Sequence, residues 1–276
     1  MKSNIDERVV REFGIEWRRF DQSVLSADEL KAVFDRYFAI FPWGVLPTHA
    51  KGFDLGCGSG RWAALTARRV GELHCIDPSE DALAVAKRNL SGVANCRFHL
   101  AGVDDIPLDD NSMDFGYSIG VLHHIPDTER GIRSCVAKLK RGAPLLLYLY
   151  YAFDNRPAWF VATWRVADLV RRIISKCPYP LKYVASQGLA IFVYFPLARL
   201  SRELEARGVS VQNIPLSSYG KKSFYTMRTD ALDRFGTRLE HRFTKQQIVQ
   251  MMENAGLTNI RFGDQSPYWC AVGYKE

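Results

Sequence analysis

The stretch Phe53-Asp54-Leu55-Gly56-Cys57-Gly58-Ser59-Gly60 limits what this chain can fold into more than any other. A short apolar run ends in an acidic residue, a glycine-rich turn follows, and a helical run opens at Arg61 and Trp62. Glycines at alternate positions let the backbone turn tightly and let a ligand approach with no Cβ in the way. The turn also aims the N–H groups of the following helix at whatever lies above it. A second acid, Asp77, closes the next apolar run, Leu73-His74-Cys75-Ile76. An acid at the tip of a second strand is placed to take both hydroxyls of a ribose. Together these features imply a nucleoside-containing cofactor. The dinucleotide fingerprint G-x-G-x-x-G is not met, because the third glycine comes one residue early and Arg61 stands in its place. The Lys-Ser/Thr pair of a phosphate-binding loop is also missing.

Around this turn, strand and helix patterns alternate. Strands are expected near 51–55, 73–77, 96–100, 114–119 and 144–150. Helices are expected at Glu80–Asn89 and Thr128–Lys140, with Gly142 ending the latter. Such alternation gives an α/β fold with a doubly wound, mostly parallel sheet, whose ligands sit beyond the carboxyl ends of the strands. Asp54, Asp77 and the Gly120–His124 loop fall on that edge. Residues 1–50 read as an N-terminal helical cap, with helices over Arg8–Phe20 and Ser26–Phe41. Phe13, Trp17, Leu30, Phe34 and Phe38 carry its apolar spacing, Ser26 with Glu29 resembles a capping box, and Pro42 is expected to stop the second helix. Residues 51–150 form the cofactor-binding core. Residues 151–240 interrupt it as a helical and loop insertion, and residues 241–276 resume it. In this last part Thr244 and Gln247 make a capping box for a helix ending at Gly256, and strands follow at Asn259–Phe262 and Tyr268–Tyr274.

Within the insertion, Pro157–Lys176 is amphipathic, with Phe160, Trp164, Ala167 and Ile174 on one side and Arg165, Asp168, Arg172 and Lys176 on the other. Leu181–Phe195 is apolar almost all round, which suits burial or packing on a lipid-like surface. Arg199–Arg207 reads as a charged continuation and Gly208–Met227 as a loop. The longest apolar run is expected to stop at Pro196, short of the about 20 residues a membrane span requires.

Five segments in order then carry a family likeness. Asp54-Leu55-Gly56-Cys57-Gly58-Ser59-Gly60, Ile76-Asp77-Pro78-Ser79, Ile106-Pro107-Leu108, Met113-Asp114-Phe115-Gly116-Tyr117-Ser118 and Val121-Leu122-His123-His124-Ile125-Pro126-Asp127 resemble class I S-adenosylmethionine-dependent methyltransferases. The likeness is to the small-molecule branch that includes the ubiquinone and menaquinone methyltransferases. It implies S-adenosyl-L-methionine as cofactor, with Asp54, Gly56, Cys57, Gly58 and Gly60 around its methionine part and Asp77 on the ribose. Pro78 and Ile119 would complete the pocket. The family often has an acid directly after the third strand, where this chain has Gly102; Asp104 or the Val103 backbone would then serve the adenine. The resemblance also implies that the leading helices cover the pocket. It further implies that the last two strands form an antiparallel pair completing a seven-stranded sheet, and that the insertion acts as a substrate lid.

Methyl transfer from a sulfonium is a direct displacement that needs alignment and, for a hydroxyl acceptor, removal of a proton. His124 is the first candidate for the base, because it follows the fourth strand and histidine as a residue type suits proton transfer at neutral pH; His123 is the second. Tyr151, Tyr219, Tyr225, Arg228 and Arg242 are the substrate-binding candidates. Arginine suits phosphate or carboxylate and tyrosine suits a sugar face or an aromatic ring. The six cysteines are scattered with no C-x-x-C pair, so no metal is expected.

Of the chain's 276 residues and net charge of +7, residues 151–240 hold 14 Lys/Arg against 7 Asp/Glu, which accounts for the whole excess. A local basic excess suggests an anionic partner. The leading expectation is therefore methylation of O or N on a small anionic metabolite, such as a phosphorylated or nucleotide-linked sugar. The alternatives are a quinone or lipid acceptor at the membrane surface and a non-catalytic, cofactor-binding regulator. A nucleic-acid partner is not expected, since Gly120-Val121-Leu122-His123-His124 stands where base amino-methyltransferases carry an Asn/Asp-Pro-Pro-Tyr type signature. Met1–Arg8 has no signal-peptide core, so the expected location is cytoplasmic, with peripheral contact to the inner membrane face in the lipid alternative.

Overall fold

Short apolar runs pair side by side, and those at the centre of the sheet bury both faces, as parallel strands under helices must. The computed structural model describes residues 3–276. Strands β1 (Lys51–Leu55), β2 (Glu72–Asp77), β3 (Cys96–Leu100), β4 (Phe115–Ile119), β5 (Pro144–Tyr148), β6 (Leu257–Phe262) and β7 (Cys270–Lys275) form one sheet in the order β3-β2-β1-β4-β5-β7-β6. The first five are parallel, and β7 runs antiparallel to both β5 and β6. This is the expected α/β architecture. Strand order reverses between β1 and β4, so the carboxyl ends of these two strands open the crevice where such sheets bind ligands.

The chain divides into two compact units. The first holds the chain up to Ser23, Leu30–Ala152 and Leu239–Glu276, and therefore the whole sheet. Its helices are α1 (Glu7–Arg19), most of α2 (Ala27–Tyr37), α3 (Ala63–Thr66), α4 (Glu80–Asn89), α5 (Thr128–Lys138) and, late in the chain, a helix at Lys245–Asn254. Phe34 of α2 and Phe38, just after its end, stack at 4.2 Å and join Phe41, Trp62, Phe115 and Tyr117 in one core cluster. The helix ends at Tyr37, four residues earlier than expected, and only half of its capping box forms: Ser26 Oγ accepts from the Glu29 N–H at 3.1 Å. The Glu29 carboxylate instead accepts from Ser223 and Thr226 in the second unit, to which the first turn of α2 belongs. Nor does Gly142 end α5. Leu139 turns extended (φ −74°, ψ 146°) and bridges to Met113, so Gly142, at φ 75°, serves the turn into β5.

The second unit comprises Val24–Glu29 and Phe153–Arg238. It contains α6 (Ala158–Ile174), α7 (Tyr179–Leu189), α8 (Phe195–Ala206) and α9 (Phe224–Gly236), and α10 is then the helix at Lys245–Asn254 of the first unit. The α9 helix begins inside the stretch read as loop, capped by Ser223 Oγ accepting from the Thr226 N–H. Pro196 does not stop the preceding helix. A π-helical turn at Ala190–Tyr194 joins α7 to α8, and the Phe195 N–H reaches back to Ala190 O, which accommodates a proline that has no N–H to offer. The resulting helix, Tyr179–Ala206, is long and apolar enough to cross a membrane by length and composition, against the sequence expectation. Asp168, expected on a solvated face, is buried and held by Arg171 and Arg172 at 2.7 Å each.

A cross-strand exchange locks the centre of the sheet. Gly52 faces Phe115, and Phe53 faces Gly116, so each phenyl ring lies over the glycine of the other strand. A Cβ on Gly116 would stand 2.3 Å from the Phe53 ring. Gly116→Ala is expected to cost about 1–3 kcal/mol through overpacking, read as a lower urea midpoint with an unchanged slope.

Candidate active site

The tip of β1 is tied to β2 before any ligand is considered. Gly56 and Cys57 donate their N–H groups to Ile76 O at 2.7 and 3.1 Å. Gly56, Gly58 and Gly60 have φ of 77°, 54° and 77°, the left-handed region that other residues rarely adopt. Space is equally restrictive, since a Cβ on Gly56 would meet Val121 at 2.4 Å and one on Gly58 would meet the Trp17 indole at 2.9 Å. Asp77 closes the arrangement: one carboxylate oxygen accepts from the Gly58 N–H and the other from the Ser79 N–H, both at 2.9 Å. Ser79 then caps α4, so Pro78 sits in the short link between the acid and the helix. Burial raises Asp77 to about 6. Arg61, in place of the third glycine of a dinucleotide turn, lies over the Trp62 ring at 4.4 Å.

Asp54 lies beneath this turn, 1% exposed. Burial raises it to about 8, opposed by the nearby Tyr117 hydroxyl and reinforced by the charge of Asp77. Neither of its oxygens has a hydrogen-bond partner of ordinary length. A buried carboxyl group in this condition costs free energy that a cationic or hydrogen-bond-donating ligand would recover. Cys57 and Ile119 are buried as well and belong to one apolar cluster.

The side of the site beyond β3 is closed by the N-terminal segment. Ile5 packs directly on Gly102, where a Cβ would lie 2.0 Å from its side chain. Asn4 donates its N–H to Asp104 and uses its side chain to bracket the Asp127 backbone, accepting from N–H at 2.7 Å and donating to O at 2.9 Å. Asp104 also pairs with Arg130. Both oxygens of Asp104 are thus committed to the protein, which leaves Val103 as the candidate on the adenine side.

At the carboxyl end of β4, a tight turn at Leu122–His124 presents two imidazoles that differ in character. His124 Nδ1 lies 2.7 Å from Leu239 O. A carbonyl can only accept, so Nδ1 carries the proton and the neutral ring keeps its lone pair on Nε2. Phe13 of α1 packs at 5.0 Å from this ring. His123 is fully buried and stacks on Tyr150 at 3.8 Å. Burial, with the positive charges of its neighbours, holds His123 well below the usual histidine range. It therefore stays neutral and is a weak base. The backbone of His241 donates to His123 O, and Arg242 pairs with Glu240 at 2.7 Å while lying over the Tyr150 ring at 5.1 Å. Arg242 also reaches Tyr151 O at 3.3 Å.

Of the substrate candidates, Tyr151 and Arg242 thus gather with the histidines in the first unit. Tyr219, Tyr225 and Arg228 belong to the second. There the Tyr219 hydroxyl donates to Asp230 at 2.7 Å, and Arg228 donates to Gln187 Oε1 at 2.5 Å and to the Tyr183 hydroxyl at 3.0 Å. Sequence reasoning missed Leu239 and Glu240, whose contributions are a backbone carbonyl and a side chain 2% exposed. No residue pattern announces either. Among the described residues, no group of three or more His, Cys, Asp or Glu is placed to hold a metal ion.

Residues 53–147 match the family model described as "Methyltransferase domain". That segment contains the glycine turn, Asp54, Asp77 and both histidines. It is a class I S-adenosylmethionine-dependent methyltransferase domain. The ubiquinone biosynthesis O-methyltransferase of Xanthomonas axonopodis pv. citri is 27% identical over 132 residues, covering 47% of this chain and 54% of that protein. The phosphoethanolamine N-methyltransferase 2 of Caenorhabditis elegans is 33% identical over 100 residues, covering 35% of this chain and 23% of that protein. The chain thus spans about half the length of the curated ubiquinone relatives it matches. In fold it is similar to the Haemonchus contortus phosphoethanolamine N-methyltransferase 2, solved with phosphomonomethylethanolamine and S-adenosylhomocysteine. The TM-score is 0.51 at 16% identity, covering 94% of this chain and 44% of that one. The cofactor of this methyltransferase domain is S-adenosylmethionine. The residues present fit it: a glycine cradle without room for a Cβ, a buried carboxyl group lacking a partner, and an acid at the tip of β2.

The two raised carboxyl groups set a pH dependence for the methyltransferase. Asp54 is neutral in the free protein below about 8. A cationic ammonium or sulfonium favours its ionised form, so binding releases a proton and affinity falls as pH drops from about 8, by at most about tenfold per unit. Protonation of Asp77 steepens the loss below about 6. Calorimetry in buffers of different ionisation heat should register the released proton at pH 7, and Asp54→Asn should bind more weakly and abolish that release.

Proposed function

We propose that this protein transfers the methyl group of S-adenosylmethionine to an oxygen or nitrogen of a small acceptor, with His124 taking the acceptor's proton. The carrying observation is the 2.7 Å contact from His124 Nδ1 to Leu239 O, which supports a fixed tautomer with the basic lone pair on Nε2. Asp54 and the Gly56–Gly60 turn would hold the methionine part, Asp77 the ribose hydroxyls, and Val103 the adenine. The bound cofactor supplies an electrophilic methyl group on sulfonium. The chain's own tasks are then to align the acceptor, to exclude water and to accept a proton. The apolar cover from Phe13 and Trp17, on α1, supports the second task. His123, buried, neutral and stacked on Tyr150, would orient the turn that carries His124.

A second reading concerns the acceptor. The two arginines expected to recognise an anion are engaged within the protein, Arg242 by Glu240 and Arg228 by Gln187 and Tyr183, and so is nearby Lys222, by Asp230 at 3.6 Å and the Tyr219 ring at 4.2 Å. That engagement favours an apolar acceptor, a quinone or lipid, over a phosphorylated or nucleotide-linked sugar. Transfer of labelled methyl groups to organic-extractable against aqueous fractions of a cell extract separates the two, and no transfer to either would favour the non-catalytic regulator.

For a hydroxyl acceptor, His124→Ala should lower kcat by about 10²–10⁴ while leaving the cofactor's Kd within about twofold. A comparable loss of cofactor affinity in calorimetry would instead make His124 a structural residue.

A further inference from the structure

The second unit wears its apolar residues outward. Among the described residues, all the exposed large hydrophobic side chains but Val24, Val45 and Leu100 lie between Trp159 and Val209. They are not scattered. On α6, Trp159, Val166, Leu169, Val170 and Ile173 recur at helical spacing along one exposed face, with Val166 66% and Ile173 62% accessible. On the helix running from α7 into α8, Leu181, Val184, Ile191, Phe192, Phe195 and Leu200 do the same, and Phe192 is 78% accessible. The opposite face of that helix is buried at four-residue steps by Lys182, Ser186, Ala190, Tyr194 and Ala198. Lys182 Nζ donates to Gly236 O at the carboxyl end of α9, where a cation is favoured. Ala190, Tyr194 and Ala198 of that face join Tyr219, Met227 and Ala231 in the unit's own apolar core, so the exposed stripe is a second apolar face that nothing in the unit covers.

Soluble monomers rarely carry contiguous apolar patches of this extent without a partner. Charge selects which partner. The insertion holds the chain's entire basic excess. Arg165 and Arg172 border the α6 stripe on one flank, and Lys176 follows at its end. Among the described residues, Arg165 and Lys176 have no acidic group within ion-pair distance. An apolar face rimmed by cations fits the boundary between headgroups and acyl chains of an anionic bilayer, where each cation adds to apolar insertion. A second copy of this chain would bring the same positive excess against itself.

We propose that α6 and the α7–α8 helix dock this protein flat on an anionic lipid bilayer. The Tyr179–Ala206 helix lies in the interface rather than spanning it, because its inner stripe of Lys182, Ser186 and Ser201 is packed within the unit. The inference goes beyond the proposed chemistry and does not require it.

The test is co-sedimentation of the full chain with vesicles of phosphatidylcholine alone and of phosphatidylcholine mixed with phosphatidylglycerol, at low and high salt, with no acceptor or turnover involved. The protein should bind the anionic vesicles, bind the neutral ones more weakly, and lose affinity as salt rises. Val184→Asp with Phe192→Asp, and separately Val166→Asp with Leu169→Asp, should each reduce binding at least about tenfold. Arg165→Glu with Lys176→Glu should reduce anionic binding at least about fivefold per residue while leaving neutral binding unchanged. All these positions are exposed, so each variant should keep its circular dichroism spectrum and its affinity for S-adenosylmethionine. Equal binding to both vesicle types, binding undiminished in the Asp variants, or no binding by the wild type would each overturn the proposal. So would a solution dimer that the Asp variants dissociate and that does not bind vesicles. None of these outcomes bears on methyl transfer, which fails or succeeds on His124 and the cofactor.

Discussion

The carboxylate of Asp77 governs the geometry on which the cofactor site depends. By accepting from Gly58 on one side and Ser79 on the other, it fixes the glycine turn and the start of α4 with one group. Charge-assisted bonds to backbone N–H groups are among the stronger ones available to a fold. With Ile76 O accepting from Gly56 and Cys57, they hold the turn in a conformation that only glycine enters easily. The same clamp keeps Asp54 under the turn, away from water, where its raised pKa records the cost of burial without a partner. A site built this way demands a ligand with a donor or a positive charge.

A second constraint sits around β4. The turn after it places two adjacent histidines in different environments, and the segment Leu239–Arg242 decides what each can do. Leu239 supplies a carbonyl that selects the tautomer of His124, and His241 supplies an N–H to the backbone of His123. Burial keeps His123 neutral, so the two adjacent imidazoles are placed in different surroundings. The second unit follows a different logic. It encloses a small apolar core together with Asp168 between two arginines and Lys182 on the end of α9, and it leaves many large apolar side chains facing outward.

Much of this was legible before the structure. The seven strands, the β4–His124 turn and the capping box at Thr244 follow from periodicity, glycine placement and short-range capping, which are local effects. The α9 helix and the passage through Pro196 were not legible. The first is specified by burial of Met227, Ala231 and Leu232 more than by its own propensity, and the second by a π-turn that absorbs the missing N–H. Asp104 was a fair candidate for the cofactor from its position alone. That it is already taken by Asn4 and Arg130 depends on residues 100 and 26 positions away.

The amino-acid order by itself determined the alternation of strand and helix, the glycine turn and the two acids at the carboxyl ends of β1 and β2. Each is set by neighbours within a few residues, where backbone sterics and hydrogen-bond geometry leave few choices. Only the tertiary structure decided which histidine has a fixed tautomer, which cations remain for a partner, and which faces of α6 and the α7–α8 helix stay uncovered. Those outcomes depend on groups brought together from distant parts of the chain, and desolvation and pairing act on what is near in space.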